Sequence, residues 1–86
     1  MRISDVYVNE WKIGSDVYYA YEDENLDYFQ HIGLLCDLYM NEFKKIIIFE
    51  DNHKYVVSEF NKNYDCMASN EFTNYKKAKL FFKEII

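Results

Sequence analysis

Two stretches near the start of the chain share one character. Asp5-Val6-Tyr7-Val8-Asn9-Glu10-Trp11 and Asp16-Val17-Tyr18-Tyr19-Ala20-Tyr21 are rich in β-branched and aromatic residues, and Lys12-Ile13-Gly14-Ser15 separates them. That pattern predicts a β-hairpin turning at Gly14. A second hairpin is expected from Lys45-Ile46-Ile47-Ile48-Phe49-Glu50 and His53-Lys54-Tyr55-Val56-Val57-Ser58-Glu59-Phe60, with Asp51-Asn52 supplying residues that tolerate a tight turn.

Spacing changes in two other places. From Thr73 to Ile86, Tyr75, Ala78, Phe82 and Ile85 recur every three or four residues, while Lys76, Lys77, Lys79 and Lys83 mostly face away. This predicts a helix capped by Thr73. Between Asn25 and Phe43, Leu26, Phe29, Ile32, Leu35, Tyr39 and Phe43 also keep helical spacing, with Asn25 as cap and Asp27 in the first turn. A short strand over His31–Cys36, broken at Gly33, is the competing reading. With the helix, the order is ββαββα: an α+β fold of about four antiparallel strands with two helices covering one face.

The chain has 86 residues, half of them apolar and 20% aromatic, with two glycines and no proline. Residues 1–86 are expected to form one domain, because a second core would be starved of side chains. No apolar run approaches the roughly 20 residues of a membrane span. The opening residues lack the apolar stretch of a secretion signal, so a cytoplasmic protein with no membrane contact is expected.

Charge changes the picture most. Residues 1–43 hold nine acids, Asp5, Glu10, Asp16, Glu22, Asp23, Glu24, Asp27, Asp37 and Glu42, against Arg2 and Lys12, a net −7. Residues 44–86 hold eight lysines against six acids, a net +2, so the whole carries −5. Part of the surface therefore carries a negative field that repels phosphate and attracts basic partners.

Candidate chemistry is sparse. His31, Cys36, His53 and Cys66 match a Cys2His2 inventory but not its spacing, which brings ligands in close pairs. No metal, cofactor or catalytic residue is assigned, and two glycines in neither phosphate-loop pattern argue against nucleotide binding. Cys36 and Cys66 are expected as reduced packing thiols, and a thiol-dependent enzyme or small-ligand domain using either is the weakest alternative. Tyrosines such as Tyr18, Tyr19, Tyr21, Tyr28 and Tyr55 could stack bases, yet those near residue 22 stand among acids rather than the Lys and Arg of single-strand binders. Direct nucleic-acid binding is therefore not expected.

The run Glu22-Asp23-Glu24-Asn25-Leu26-Asp27, flanked by Tyr21 and Tyr28, is the candidate partner-binding site. Its plain reading is a solvated turn. Its functional reading is a patch of carboxylates standing where phosphates would lie, engaging the Arg and Lys of a nucleic-acid-binding protein. In composition alone, short, acidic, aromatic and rich in Asn, Lys and Ile, the chain resembles small phage and mobile-element inhibitors of host nucleic-acid machinery, anti-CRISPR proteins among them. The expectation is a non-enzymatic inhibitor of a basic partner, acting by nucleic-acid mimicry or steric block. The alternative is a small regulator, an antitoxin or assembly subunit, that binds or homodimerises through an aromatic sheet face.

Overall fold

The computed structural model describes residues 2–22 and 27–86, with side chains described for residues 6–20 and 28–86. Its strands are β1 (Arg2–Val8), β2 (Asp16–Glu22), β3 (Asp27–Met40), β4 (Lys44–Asp51), β5 (Lys54–Asn61) and β6 (Cys66–Phe72), followed by the helix α1 (Tyr75–Ile85). A 3-10 turn, Asn9–Trp11, lies between β1 and β2. All six strands pair antiparallel in chain order. The expected four strands and two helices in ββαββα order are thus replaced by a six-stranded meander with one helix.

The largest correction falls on residues 25–43, where the expected helix gives way to the 14-residue strand β3. Its register slips twice, once between Val17 and Tyr18 on β2, which leaves Ile32 as the extra residue, and once between Leu35 and Asp37, which leaves Cys36. Each bulge offsets the two-residue alternation by one. Ile32, Leu35 and Leu38 consequently meet the same apolar cluster at intervals of three. That is the spacing of a helix stripe, produced here by a twice-bulged strand. Residues 66–72, for which the sequence predicts no element, form the edge strand β6, whose side chains are almost all exposed.

Strand β3 is also where the sheet turns. Its first half pairs with β2 and its second with β4, and Leu34 stands opposite both Asp16 and Glu50. Val6 on β1 and Phe60 on β5 belong to one buried cluster, together with Val8, Val17, Ile32, Leu35, Ile47 and Phe49. Four strand spacings would hold β1 about 19 Å from β5 in a flat sheet, so the sheet must curl around this cluster. Contact between β1 and β6, and the Trp11 and Tyr64 rings 6.1 Å apart, bring the two ends of the curl together.

The central strand β4 is buried on both faces, which is why Ile46–Phe49 reads as an unbroken apolar run. Ile47 and Phe49 face the inner cluster. Ile46 and Ile48 face outward and pack with Val57 under Ala78 and Phe82 of α1. The β4–β5 turn places Asn52 and His53 at φ 49° and 66°, one position later than Asp51-Asn52. Two successive positive φ values suit a right-twisted hairpin.

Helix α1 is capped by Asn74 rather than Thr73: the Lys77 N–H donates to Asn74 Oδ1 at 2.9 Å. At its other end Lys44 Nζ donates to the Ile85 carbonyl at 3.0 Å, satisfying one of the carbonyls a helix end leaves open. Tyr75 and Lys79 also reach down to Asp37 on β3, both donating to Asp37 Oδ2.

Candidate functional site

Helix α1 covers the outer face of β4 and β5 and of the second half of β3. Among the described residues, no element covers the outer face of β1, β2 and the first half of β3 in this way. There the register aligns Tyr7 with Tyr18 and Tyr18 with His31 across three strands. Alternation places these three on the side opposite Val6, Val8 and Val17, which enter the core.

The aromatic rings on this face meet in pairs. Tyr7 and Phe29 pack edge to face, centroids 5.5 Å apart at 83°. Tyr18 and His31 do the same at 5.3 Å and 67°. His31 Nε2 lies 3.0 Å from Asp16 Oδ1, which anchors the imidazole along the strand direction. Tyr7 remains 48% and Phe29 59% exposed, in contact with each other rather than singly scattered. Between the rings and the 3-10 turn lies an open depression of about 490 Å³, lined by Tyr7, Val8, Asn9, Glu10, Tyr18 and Phe29.

The 3-10 turn supplies the rim of this depression. Glu10 and Trp11 take left-handed φ values of 65° and 49°, a conformation that successive non-glycine residues rarely hold unless neighbours impose it. Trp11 packs against the inner cluster and against Tyr64, which anchors the turn. Glu10 stays exposed and pairs with Lys12, Nζ to Oε2, at 2.6 Å.

Of the sequence-predicted site, the structure describes the backbone of Tyr21 and Glu22 at the end of β2 and of Asp27 and Tyr28 at the start of β3. Tyr21 stands opposite Tyr28 and Glu22 opposite Asp27 in the backbone register. Asp23 and Glu24 fall outside the described residues, as do the side chains of Tyr21, Glu22 and Asp27. Tyr28 is 42% exposed and, one position before Phe29, projects to the opposite face. Tyr7, Phe29, Glu10 and Asp16 were not singled out by sequence reasoning. Phe29 fits a helix stripe in the sequence, and only the pairing of β1, β2 and β3 brings it against Tyr7.

The cysteines are placed apart from this face and are both free. Burial pushes the Cys36 thiol above its ordinary value, and the Glu50 carboxylate adds to the rise. Cys66, expected as a packing thiol, is exposed on β6, and partial burial of its sulfur still raises it. A raised thiol holds less of the nucleophilic thiolate. Among the described residues, no three of His, Cys, Asp and Glu gather in a way that could hold a metal ion. No described helix is long and apolar enough to cross a membrane.

Among the acids of residues 1–43 with described side chains, Glu10 and Asp16 lie by the aromatic face, whereas Asp37 pairs with Lys79 of α1. Residues 1–43, net −7, make up β1, β2 and β3, whereas Lys76, Lys77, Lys79 and Lys83 all lie on α1. The aromatic face is therefore built from strands of the acidic half of the sequence. No family model, curated protein or solved structure matches this chain, so the reading of the face rests on its own residues.

Proposed function

We propose that this protein is a non-enzymatic interaction module that binds a basic protein through the outer face of β1, β2 and β3. One observation carries the reading: the aromatic face left uncovered by α1 coincides with the acidic half of the chain. Tyrosine is enriched among the few residues that dominate interface energy, while a surrounding field of one sign speeds encounter with an oppositely charged surface. A partner that normally binds nucleic acid has such a surface, and acids along Glu22–Asp27 would compete with phosphate for its Arg and Lys. The raised thiols argue against the thiol-dependent alternative, since neither Cys36 nor Cys66 is primed as a nucleophile.

A pull-down from the native host tests this, using wild-type protein, a Tyr7→Ala/Phe29→Ala variant and a Lys76→Ala/Lys77→Ala variant as baits. The expected result is a basic protein retained by wild type and by the helix variant but lost from the face variant. Retention by all three baits alike would remove the face from the interaction. Retention that survives high salt would instead favour an aromatic contact with little contribution from charge, as an assembly subunit would make.

A further inference from the structure

We propose that the depression walled by Tyr7, Tyr18 and Phe29, with Glu10 at its rim, receives an arginine side chain of the partner. This rests on the reading of the face given above and names the chemistry that the face would recognise. The volume of about 490 Å³ falls within the range of small-ligand sites, and three of its six lining residues are aromatic. A neutral aromatic ligand would fill such a space, but it would gain nothing from the single charged group on the rim. A nucleotide would bring phosphate into the half of the chain with net −7. A cation satisfies both features.

Aromatic ring faces attract cations held within about 6 Å of the centroid, and arginine makes the contact more often than lysine. The molecule already uses this interaction elsewhere, with Lys45 Nζ 4.3 Å from the Tyr64 centroid. A planar guanidinium can stack on a ring while forming two hydrogen bonds with one carboxylate, which a compact, strongly hydrated ammonium cannot do. Glu10 is suited to the second role. Its exposed side chain is carried on a turn whose left-handed backbone is anchored by Trp11 packing.

The structure also names a competitor. Lys12 Nζ sits 2.6 Å from Glu10 Oε2, with both side chains more than 60% exposed. A solvated pair of this kind is weak and yields to a better-matched cation. Removing Lys12 should therefore strengthen arginine binding, whereas neutralising Glu10 should weaken it. No merely structural role for these two residues predicts opposite signs.

The experiment titrates the isotope-labelled full chain with N-acetyl-arginine amide, followed by heteronuclear NMR, with N-acetyl-lysine amide and N-acetyl-citrulline amide as probes of charge and shape. Saturable shifts confined to Tyr7, Glu10, Tyr18 and Phe29 are expected with arginine, about tenfold weaker binding with the uncharged citrulline, and weaker binding with lysine than with arginine. Glu10→Gln should weaken arginine binding about tenfold and Lys12→Gln should tighten it about threefold. Lys83→Gln, an equal charge change on α1, should leave it unchanged. Shifts scattered over the surface carboxylates, equal affinity for citrulline or lysine, or an inert Glu10→Gln variant would overturn the proposal. If partner capture depends on Tyr7 and Phe29 while the arginine titration is flat, the arginine site fails and the binding face stands. Arginine binding at the depression without partner capture through the face has the reverse meaning.

Discussion

Gly33 passes so close to Glu50 that a Cβ added at Gly33 would lie 1.9 Å from the Glu50 carbonyl oxygen. The crowding atom is backbone and cannot rotate away. At this point β3 leaves β2 for β4, and the Gly14 N–H donates to the Leu35 carbonyl at 2.8 Å while the Leu35 N–H donates to Ser15 at 2.8 Å. A residue without a side chain is what lets three segments meet at the corner and the sheet curl over its core.

Gly33→Ala should therefore destabilise the protein by about 3 kcal/mol, the upper end of the overpacking range. Gly14→Ala meets nothing within 4 Å, and its penalty comes only from φ of +90°. Backbone strain of that kind costs about 1–2 kcal/mol. Urea unfolding of both variants checks the order. If Gly14→Ala proves the more damaging, the corner is not under steric control.

Asp37 ties the helix to the sheet. Its Oδ2 accepts from Lys79 Nζ and, at 3.3 Å, from the Tyr75 hydroxyl, while Oδ1 accepts from the Leu38 N–H at 2.8 Å. With Asp37 21% and Lys79 32% exposed, solvent screens the pair only in part. Asp37→Ala should lower stability by about 1–2 kcal/mol, more than an exposed ion pair contributes. Lys79→Ala should cost less, and the double variant should fall short of the sum of the two. Additive losses in a thermal double-mutant cycle would mean that the two side chains do not interact in solution.

The second hairpin and the C-terminal helix were legible because nothing interrupts their patterns, whereas in the first hairpin Asn9–Trp11, expected as strand, forms a 3-10 turn. Ile46–Phe49 signals a strand buried on two sides, and Ala78 and Phe82 mark one buried helix stripe. Strand β3 was not legible, because bulges at Ile32 and Cys36 convert its alternation into intervals of three. Nor was β6: Met67-Ala68-Ser69-Asn70 buries almost no side chain and is held by ladder bonds to β5, which leave no hydrophobic pattern. The aromatic face was half legible. Tyr18 stood out, but its neighbours Tyr7 and Phe29 come together only through pairing across three strands.

Alkaline pH should destabilise the fold, through burial of thiols and in part through Glu50. Burial first and the Glu50 carboxylate second raise Cys36, and the same carboxylate is the main cause of the rise at Tyr55. Below the ordinary thiol value, folded and unfolded chains both hold the proton, and nothing is lost. Above it the unfolded chain releases a proton that the folded chain still binds, so stability falls as pH rises toward the raised values. Thermal midpoints measured from pH 7 to 11 should decline, and Glu50→Gln should flatten part of that decline. An unchanged slope in Glu50→Gln would show that the carboxylate does not act on either group. Iodoacetamide should also modify Cys36 faster in that variant, because more thiolate is present at a given pH.

Charge and aromatic contact should act on different rate constants of the complex. Glu22, Asp23, Glu24 and Asp27 are four of the nine acids of residues 1–43. Reversing all four to Lys replaces attraction with repulsion during encounter, and steering of that kind acts mainly on the association rate and fades as salt rises. Phe29→Ala removes a half-exposed ring from the aromatic face and leaves the field intact. Its effect should fall on dissociation, by about 2 kcal/mol or about thirtyfold if Phe29 is an interface anchor. Surface plasmon resonance with the captured partner, at low salt and at 0.5 M salt, separates the two. The four-fold Lys variant should associate more slowly than wild type at low salt, with the gap narrowing at high salt, and Phe29→Ala should dissociate faster at both. Circular dichroism of each variant controls for folding. A folded four-fold Lys variant that associates like wild type at low salt would reduce the acidic run to a solvated turn. A folded Phe29→Ala variant with an unchanged dissociation rate would take the aromatic face out of the interface.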